Sequence, residues 1–254
     1  MRNIWTIAKN TLKLETRDKI WIALVAFGIG YVVIMLFLSD LVLKELPMVK
    51  AFALLGIYFF NAVIALFLGT TSFYRDVERK TVYFILAKPV SRAQFLLGKF
   101  FGLCLVVLLT SMALAVAYLA IVAIAGGGFD AMGLVAIFMQ FLEMALFLAF
   151  AIFVSTFSSS LLSIIYTSAV FFLGHVVSQL VDDARQMGIT GIRYVFVNIL
   201  YYLFPNLEKF NIRDFAVHGV AAPWASFGFA FAYAAAYIIL LLFVGVLIFQ
   251  KKEI

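Results

Sequence analysis

Six long apolar runs, separated by shorter polar stretches, dominate the pattern of this 254-residue chain. Each run has about 20 or more mostly apolar residues, which is the length an α-helix needs to cross a bilayer. Backbone polar groups in lipid must be paired within the segment, and these runs are apolar on all sides rather than alternating. We therefore predict helices and not a β-barrel. The predicted spans are residues 20–43, 52–73, 100–124, 132–156, 161–181 and 224–249.

The composition supports a membrane protein with a single domain. Hydrophobic residues make up 66% of the chain and charged residues 13%, whereas soluble domains have about 45–50% and about 25%. The mean hydropathy is +1.12. We predict that residues 1–254 form one all-α transmembrane domain with six transmembrane helices, and that no soluble stretch is long enough for a nucleotide-binding domain.

The lysines and arginines predict the orientation in the membrane. With the N-terminus in the cytoplasm, 13 of the 19 Lys and Arg residues fall on the cytoplasmic side, in agreement with the positive-inside rule. This predicts a multi-pass inner (plasma) membrane protein with both termini in the cytoplasm. The net charge of +6 then reflects topology and contact with anionic membrane lipid, and it gives no reason to expect a nucleic acid as partner.

Residues 1–19 predict an amphipathic entry helix that lies on the membrane surface before the first span. On a helical wheel, apolar residues such as Ile7 fall on one half, and basic residues such as Lys9 and Lys13 fall on the other. Glu15 is the exception, because it falls on the apolar half. A frayed basic tail is the alternative interpretation, and the clean separation of the two halves favours the helix.

The stretch 74–99 is a long basic segment between the second and third predicted spans. It contains a short apolar segment, TVYFILA, with charges on both sides, and then Pro89, which stops a helix. Ser91 and Gln94 have the spacing of a capping box, which predicts the start of the next helix. We predict a helix, a sharp turn and a helix that expose apolar and basic side chains to a cytoplasmic protein or to the membrane. The alternative is an ordinary basic loop.

Three stretches resemble a known transporter family. Within 74–99, the residues Glu78, Thr81, Leu86, Pro89-Val90-Ser91-Arg92 and Gly98-Lys99 resemble the loop between spans two and three of type-2 ATP-binding-cassette (ABC) permeases. That loop commonly reads E-x-G-T, a run of leucines, P-[VI]-S-R and G-K, and Lys80 here replaces the frequent glycine. The opening residues IAKNTLKLETRDKI, and FPNL with FNIRD before the last span, are similar to permeases of the multicopper-enzyme-maturation group.

The resemblance implies half of a transporter that works with separate ATPase subunits. Two permease copies, as a homodimer or with a close paralogue, would form the membrane path, and two ABC ATPase subunits would bind beneath them. ATP and Mg would be bound by the ATPase, so this chain would hold no cofactor and would not be an enzyme. Gly98-Lys99 is not a Walker A motif, because Ala93 stands at the first glycine position and no Ser or Thr follows. The resemblance also implies that the cytoplasmic loop 74–99 contains a coupling helix between spans two and three. The residues that it implies for ATPase coupling are Glu78, Arg79, Thr81, Phe84, Leu86, Pro89, Ser91 and Arg92.

Polar residues inside the predicted spans form a second set of candidates, an intramembrane polar path. Glu143 lies near the middle of the fourth span, where a carboxylate indicates a transport path or a proton relay. It could equally form a hydrogen bond across a helix interface, for example with Asn61 at a similar depth in the second span. His175, near the outer end of the fifth span, could belong to the path or be a buried interface residue. The sequence contains no HExxH motif or Ser-His-Asp set, and we predict neither a metal site nor a catalytic residue.

Residues 182–223 are the only sizeable extracytoplasmic segment. Their charges are mixed, and the apolar stretch Ile192–Leu203 is too short to span and would lie at the membrane interface. The segment would act as an outer gate or bind an extracytoplasmic partner protein, or else serve as a solvated connector.

Taken together, the pattern favours the permease subunit of an ATP-driven ABC exporter or maturation transporter. Two alternatives stay open: a membrane-embedded enzyme that uses Glu143 and His175, and a non-transporting membrane assembly protein. Nothing in the spans singles out a substrate.

Overall fold

The computed structural model describes residues 2–41, 45–78, 90–188, 190–221 and 223–251, and all regular secondary structure within these ranges is helical. The predicted all-α class is therefore confirmed. In chain order the elements are α1 (Arg2–Glu15), α2 (Lys19–Leu41), α3 (Leu46–Glu78), α4 (Arg92–Ile124), α5 (Ala131–Ser155), α6 (Ser160–Gln186), α7 (Ile192–Leu203), a 3-10 helix (Leu207–Phe210), α8 (Arg213–His218) and α9 (Trp224–Lys251).

Five helices in the described part of the chain are long and apolar enough to cross a membrane: α3, α4, α5, α6 and α9. They correspond to the second through sixth predicted spans. The first predicted span, 20–43, falls on the 23-residue helix α2 and continues beyond the described residues, so the count of six stays a prediction. Helices α3 and α4 both extend into the predicted loop 74–99, because the charged residues there have partners within the bundle.

Helix α5 lies at the centre of the bundle. It packs against α3, α4, α6 and α9, and most of its side chains are buried as a result. We call the end of the bundle where α3 ends and α4 begins the basal end, and the opposite end the distal end. At the basal end the rings of Phe73, Phe95 and Phe249 pack together and join α3, α4 and α9.

The predicted capping box at the start of α4 is confirmed. The Ser91 hydroxyl accepts a hydrogen bond from the backbone N–H of Gln94 at 3.2 Å, and the Gln94 side chain accepts one from the backbone N–H of Ser91 at 3.3 Å. The next residue, Arg92, donates to the carbonyl oxygens of Phe249 at 2.6 Å and Gln250 at 3.0 Å. A charged donor at the last carbonyls of a helix satisfies groups that have no partner within that helix. Arg92 therefore ties the start of α4 to the end of α9.

The predicted amphipathic segment is present as α1, and one of its faces packs against α4. A Cβ atom on Gly98 would lie 2.7 Å from the Ile7 Cβ, and one on Gly102 would lie 2.7 Å from the Ala8 carbonyl oxygen. Since real Cβ atoms do not approach so closely, only glycine at these two positions of α4 permits the contact. The placement of α1 on a membrane surface stays a prediction.

At the distal end the chain folds back onto the bundle after α7. No residue of α7 is buried, whereas Leu207 and Phe210 of the following 3-10 helix are almost fully buried. Gly174 of α6 makes room for this segment, because a Cβ there would lie 2.7 Å from the Pro205 carbonyl oxygen. This close packing brings residues 210–213 against the side chains of α3, α5 and α6.

Candidate functional site

A network of charged side chains closes the basal end of the bundle, and we call it the basal ion cluster: Glu15, Asp18, Ser72, Arg75, Asp76 and Lys99. On one side, an Arg75 nitrogen lies 2.8 Å from Glu15 Oε2, and Arg75 also pairs with Asp18. The Ser72 hydroxyl donates to Glu15 Oε1 at 2.5 Å. The cluster thereby joins α1, the turn before α2, and α3.

Lys99 joins α4 to the same cluster from a buried position. Its ammonium lies 2.7 Å from Asp76 Oδ2 and donates to the Ser72 hydroxyl at 2.7 Å. The Lys99 side chain is only 3% exposed, and a lysine is almost never so buried unless it is paired. Glu15, the exception on the apolar half of the entry helix, is explained here, since its carboxylate faces the ion cluster rather than lipid.

The basal ion cluster lies near the end of α3 and the start of α4, the two helices that the predicted coupling loop connects. Five of the predicted coupling residues, Arg79, Thr81, Phe84, Leu86 and Pro89, fall outside the described residues. The other three lie at the two ends of that gap: Glu78 is exposed at the end of α3, Ser91 caps α4, and Arg92 holds α9. Contact of any of them with an ATPase stays a prediction.

Inside the bundle, three helices bring together a polar triad of Tyr58, Glu143 and His175. The Tyr58 hydroxyl, on α3, donates to Glu143 Oε1 on α5 at 2.7 Å. It also lies 2.6 Å from His175 Nε2 on α6, and His175 Nε2 is 3.0 Å from Glu143 Oε1. Glu143 and His175, which the sequence analysis considered separately, are thus direct partners.

The geometry of the triad requires a proton between Glu143 and His175. The Nδ1 atom of His175 lies 2.8 Å from the Phe171 carbonyl oxygen, which can only accept, so Nδ1 carries a hydrogen. If Glu143 were ionised and His175 neutral, a carboxylate lone pair would face the Nε2 lone pair at 3.0 Å. One proton on either atom removes this repulsion. The pair therefore holds one proton and has no net charge.

The hydrogen bond suggested between Glu143 and Asn61 is wrong. Asn61 is fully buried, but neither of its side-chain amide atoms has a hydrogen-bond partner in the described part of the protein. Tyr58, one helical turn before Asn61 on α3, forms the bond to Glu143 instead. The long phenol side chain reaches α5 and α6 together, whereas the Asn61 amide makes no such contact.

The polar triad opens onto a cavity of about 220 Å³ between α3, α5, α6 and residues 210–213. Its polar lining consists of Tyr58, Gln140, Glu143, His175, Asn211 and Arg213. The Arg213 guanidinium carbon lies 5.4 Å from the centre of the Tyr58 ring, a distance at which a cation is attracted to the ring face. Such a lining can hold a charged or strongly hydrogen-bonding solute. In the described ranges, no three His, Cys, Asp or Glu side chains come together as a metal site would require.

A third polar group stabilises the distal turn before α5. Asp130 caps α5 by accepting from the backbone N–H of Gly133 at 3.0 Å, and it also accepts from the Tyr118 hydroxyl at 2.7 Å and pairs with Lys50 at 2.9 Å. Burial alone would raise the pKa of Asp130, but these three donors outweigh burial and hold its pKa below the ordinary value. The Asp130 carboxylate therefore stabilises the folded state in its ionised form.

Four polar residues of the cavity lining were missed by the sequence analysis: Tyr58, Gln140, Asn211 and Arg213. Tyrosine and glutamine are not charged, so neither stood out among the apolar residues. Arg213 was noted only within the resemblance at 210–214 and among the charges of the outer segment. The signal that could have drawn attention to Arg213 is its position directly after Phe210 and Ile212, two apolar residues of the outer segment that are buried in the structure.

A comparison with known proteins gives the family. A family model described as ABC-2 family transporter protein matches residues 5–254, which is nearly the whole chain. No curated protein shows significant sequence similarity to the chain.

Proposed function

The chain belongs to the ABC-2 family of transporter proteins, and from this premise we propose that it is one of two permease subunits of an ATP-driven exporter or maturation transporter. A permease of this family works with a separate ABC ATPase. We propose that two ATPase copies bind ATP and Mg, and that they dock on residues 74–99. In this proposal the chain itself holds no cofactor and catalyses no reaction.

The basal ion cluster is the observation that supports the coupling role. Residues 79–89 connect α3 to α4 in the sequence, and the ion pair of Lys99 with Asp76 joins these two helices near their basal ends. Glu15 adds α1 to the cluster. Outside the cluster, Arg92 joins α4 to α9. A force applied to residues 79–89 would therefore move four helices together rather than bend one loop. A rigid connection of this kind would transmit the closing movement of the ATPase from the loop to the membrane spans.

The remaining parts of the proposal concern placement and partners. We propose that the basal end faces the cytoplasm, with both termini on that side of the inner membrane. A second permease copy, identical or closely related, would complete the path. Residues 182–223, which carry the exposed helix α7, would face the opposite side and offer a surface to an extracytoplasmic partner. The polar triad and its cavity would lie on the path between the two sides.

A single substitution tests the docking. Phe84→Asp places a carboxylate in the apolar part of the proposed interface, where an unpaired buried charge costs several kcal/mol. The variant should lose the ATPase in co-purification while the permease keeps its yield and thermal stability. Phe157→Asp is the matched control, because Phe157 is 51% exposed in the basal turn between α5 and α6. It should retain the ATPase.

The outcomes separate the proposed function from the alternatives. Full retention of the ATPase by Phe84→Asp would contradict docking at residues 79–89. Turnover of a lipid by the purified permease without nucleotide would instead favour a membrane-embedded enzyme. An ATPase complex that hydrolyses ATP but never moves a solute in reconstituted vesicles would favour the assembly protein.

A further inference from the structure

The cavity beside the polar triad contains polar atoms that the described protein leaves unsatisfied. Arg213 Nε and Gln140 Oε1 belong to two residues that line this cavity, and both atoms are shielded from solvent. Neither has a hydrogen-bond partner in the described part of the chain. One is a donor and the other an acceptor. Because buried polar groups are nearly always paired, two unpaired groups around one cavity indicate that something else pairs with them.

The charge of the lining indicates what is missing. Glu143 and His175 share one proton and have no net charge together, as the triad geometry requires. Arg213 then leaves the lining with one positive charge, and no carboxylate in the described residues forms an ion pair with it. Arg213 is only partly exposed, and a partly buried cation is stabilised by a counter-charge close to it. One negative charge would balance this lining.

Water does not supply a negative charge, and the Glu208 carboxylate lies outside the cavity lining. The cavity of about 220 Å³ has room for several waters at about 30 Å³ each, but waters satisfy hydrogen bonds without removing the positive charge. The Glu208 carboxylate accepts a hydrogen bond from the Asn211 side chain at 2.7 Å. It is not part of the cavity lining, although it lies close enough for its negative charge to act on all three residues of the polar triad. An anionic ligand would place a counter-charge inside the cavity itself, in contact with Arg213.

We propose that this cavity is an oxyanion-binding site, in which Arg213 holds an anionic oxygen and Gln140 Oε1 accepts a hydrogen bond from a hydroxyl or ammonium of the same ligand. A guanidinium binds carboxylate and phosphate oxygens with two parallel hydrogen bonds. The cavity fits a small oxyanion or a phospholipid headgroup, whose acyl chains would remain outside it. The site stands without the proposed function, and it rests on that function only in making the ligand a transported one.

The test uses the full chain in nanodiscs and two probes. The first probe is inorganic phosphate, titrated against protein in discs of pure phosphatidylcholine. The second is phosphatidylglycerol, added to the discs and counted on the protein by native mass spectrometry. Phosphate binding identifies a soluble oxyanion as the ligand type, and retained phosphatidylglycerol identifies a lipid headgroup. One of the two probes should bind at about one per chain.

Variants of Arg213 decide whether binding occurs in this cavity. Arg213→Gln should raise the dissociation constant of the probe that binds at least tenfold, which is about 1.4 kcal/mol of binding free energy. Arg213→Lys keeps the charge but loses the two parallel hydrogen bonds, so it should bind the probe with intermediate affinity. This variant replaces Arg213→Gln in the test if the Gln variant does not fold. Arg193→Gln is the matched control, because Arg193 is exposed on α7; it should stay within twofold of the unsubstituted protein.

Three results would overturn the proposal: unchanged binding by Arg213→Gln, an equal loss in Arg193→Gln, or binding of neither probe by the unsubstituted chain. Co-purification of the ATPase, measured on the same preparations, separates this test from the proposed function. An oxyanion bound through Arg213 without any ATPase partner would support the site and contradict the function. An ATPase complex that binds neither probe would support the proposed function and contradict the oxyanion site.

Discussion

Removal of the Lys99 charge should strongly destabilise the permease, because Lys99 is a buried member of the basal ion cluster. Lys99→Met keeps an unbranched apolar side chain of similar length, so the packing of α4 changes little. The substitution removes the ammonium that lies 2.7 Å from Asp76 and from the Ser72 hydroxyl. Asp76 then keeps its negative charge without its principal partner.

The expected size of the effect follows from what stays paired. Breaking a buried ion pair by removing one partner costs about 3–5 kcal/mol. Glu15 keeps its contact with Arg75 at 2.8 Å, so only Asp76 is left alone. The Asp76 side chain is 19% exposed, so water partly compensates for the lost ammonium. We therefore expect the free energy of unfolding to fall by about 3 kcal/mol, at the lower end of that range.

Unfolding of the detergent-solubilised permease, followed by loss of helical circular dichroism in denaturant, measures this change. Lys99→Met/Asp76→Asn should be more stable than Lys99→Met alone, because the second substitution removes the stranded carboxylate. Lys13→Met is the control, since Lys13 is exposed on α1, and it should change the free energy of unfolding by less than about 0.5 kcal/mol. A loss below 1 kcal/mol for Lys99→Met, or no recovery in the double variant, would refute the reasoning.

Four further predictions concern the topology, the polar triad and the distal cap. Cysteines introduced at Lys88 and Glu208 in a Cys104→Ala background should label from opposite faces of the membrane in intact cells, and labelling of both from outside would contradict the orientation. Glu143→Gln should assemble at normal yield but reduce transport-coupled ATP hydrolysis, because it removes the titratable group, and full activity would exclude this role. Glu143→Leu should lower the free energy of unfolding by about 0.6–2 kcal/mol. The lowered pKa of Asp130 predicts that its carboxylate stabilises the folded protein above about pH 4 and that this stabilisation is lost as the pH falls further. The difference in free energy of unfolding between the unsubstituted protein and Asp130→Asn should therefore shrink below that pH. A difference that stays constant with pH would contradict this prediction.

Local signals in the sequence were enough to predict the helices and the start of α4. Twenty-residue apolar runs can satisfy their backbone in lipid only as helices, and all five assigned spans are helical. Ser91 and Gln94 start α4 through hydrogen bonds within four residues, so no distant contact is needed to predict them. The amphipathic pattern of α1 is local in the same way.

The partners of buried polar residues could not be predicted, because they depend on how the helices rotate against one another. Asn61 and Tyr58 lie one turn apart on α3, and hydropathy assigns both to a similar depth. Only packing decides that Tyr58 meets Glu143. Lys99 shows the same limit, since a count of basic residues assigns it to the membrane surface, whereas Asp76 and Ser72 hold it in the interior.

The contact of α1 with Gly98 and Gly102 has a consequence for biosynthesis. Residues 2–15 leave the ribosome long before the glycines of α4 against which they pack. During that interval α2 and α3 must insert into the membrane, and α1 is not yet packed against α4. An amphipathic helix can stay bound to the lipid surface during this time, whereas a uniformly apolar helix would insert into the membrane. The polar half of α1 therefore keeps the segment out of the bilayer until α4 is available, and it makes docking of α1 a late step in assembly.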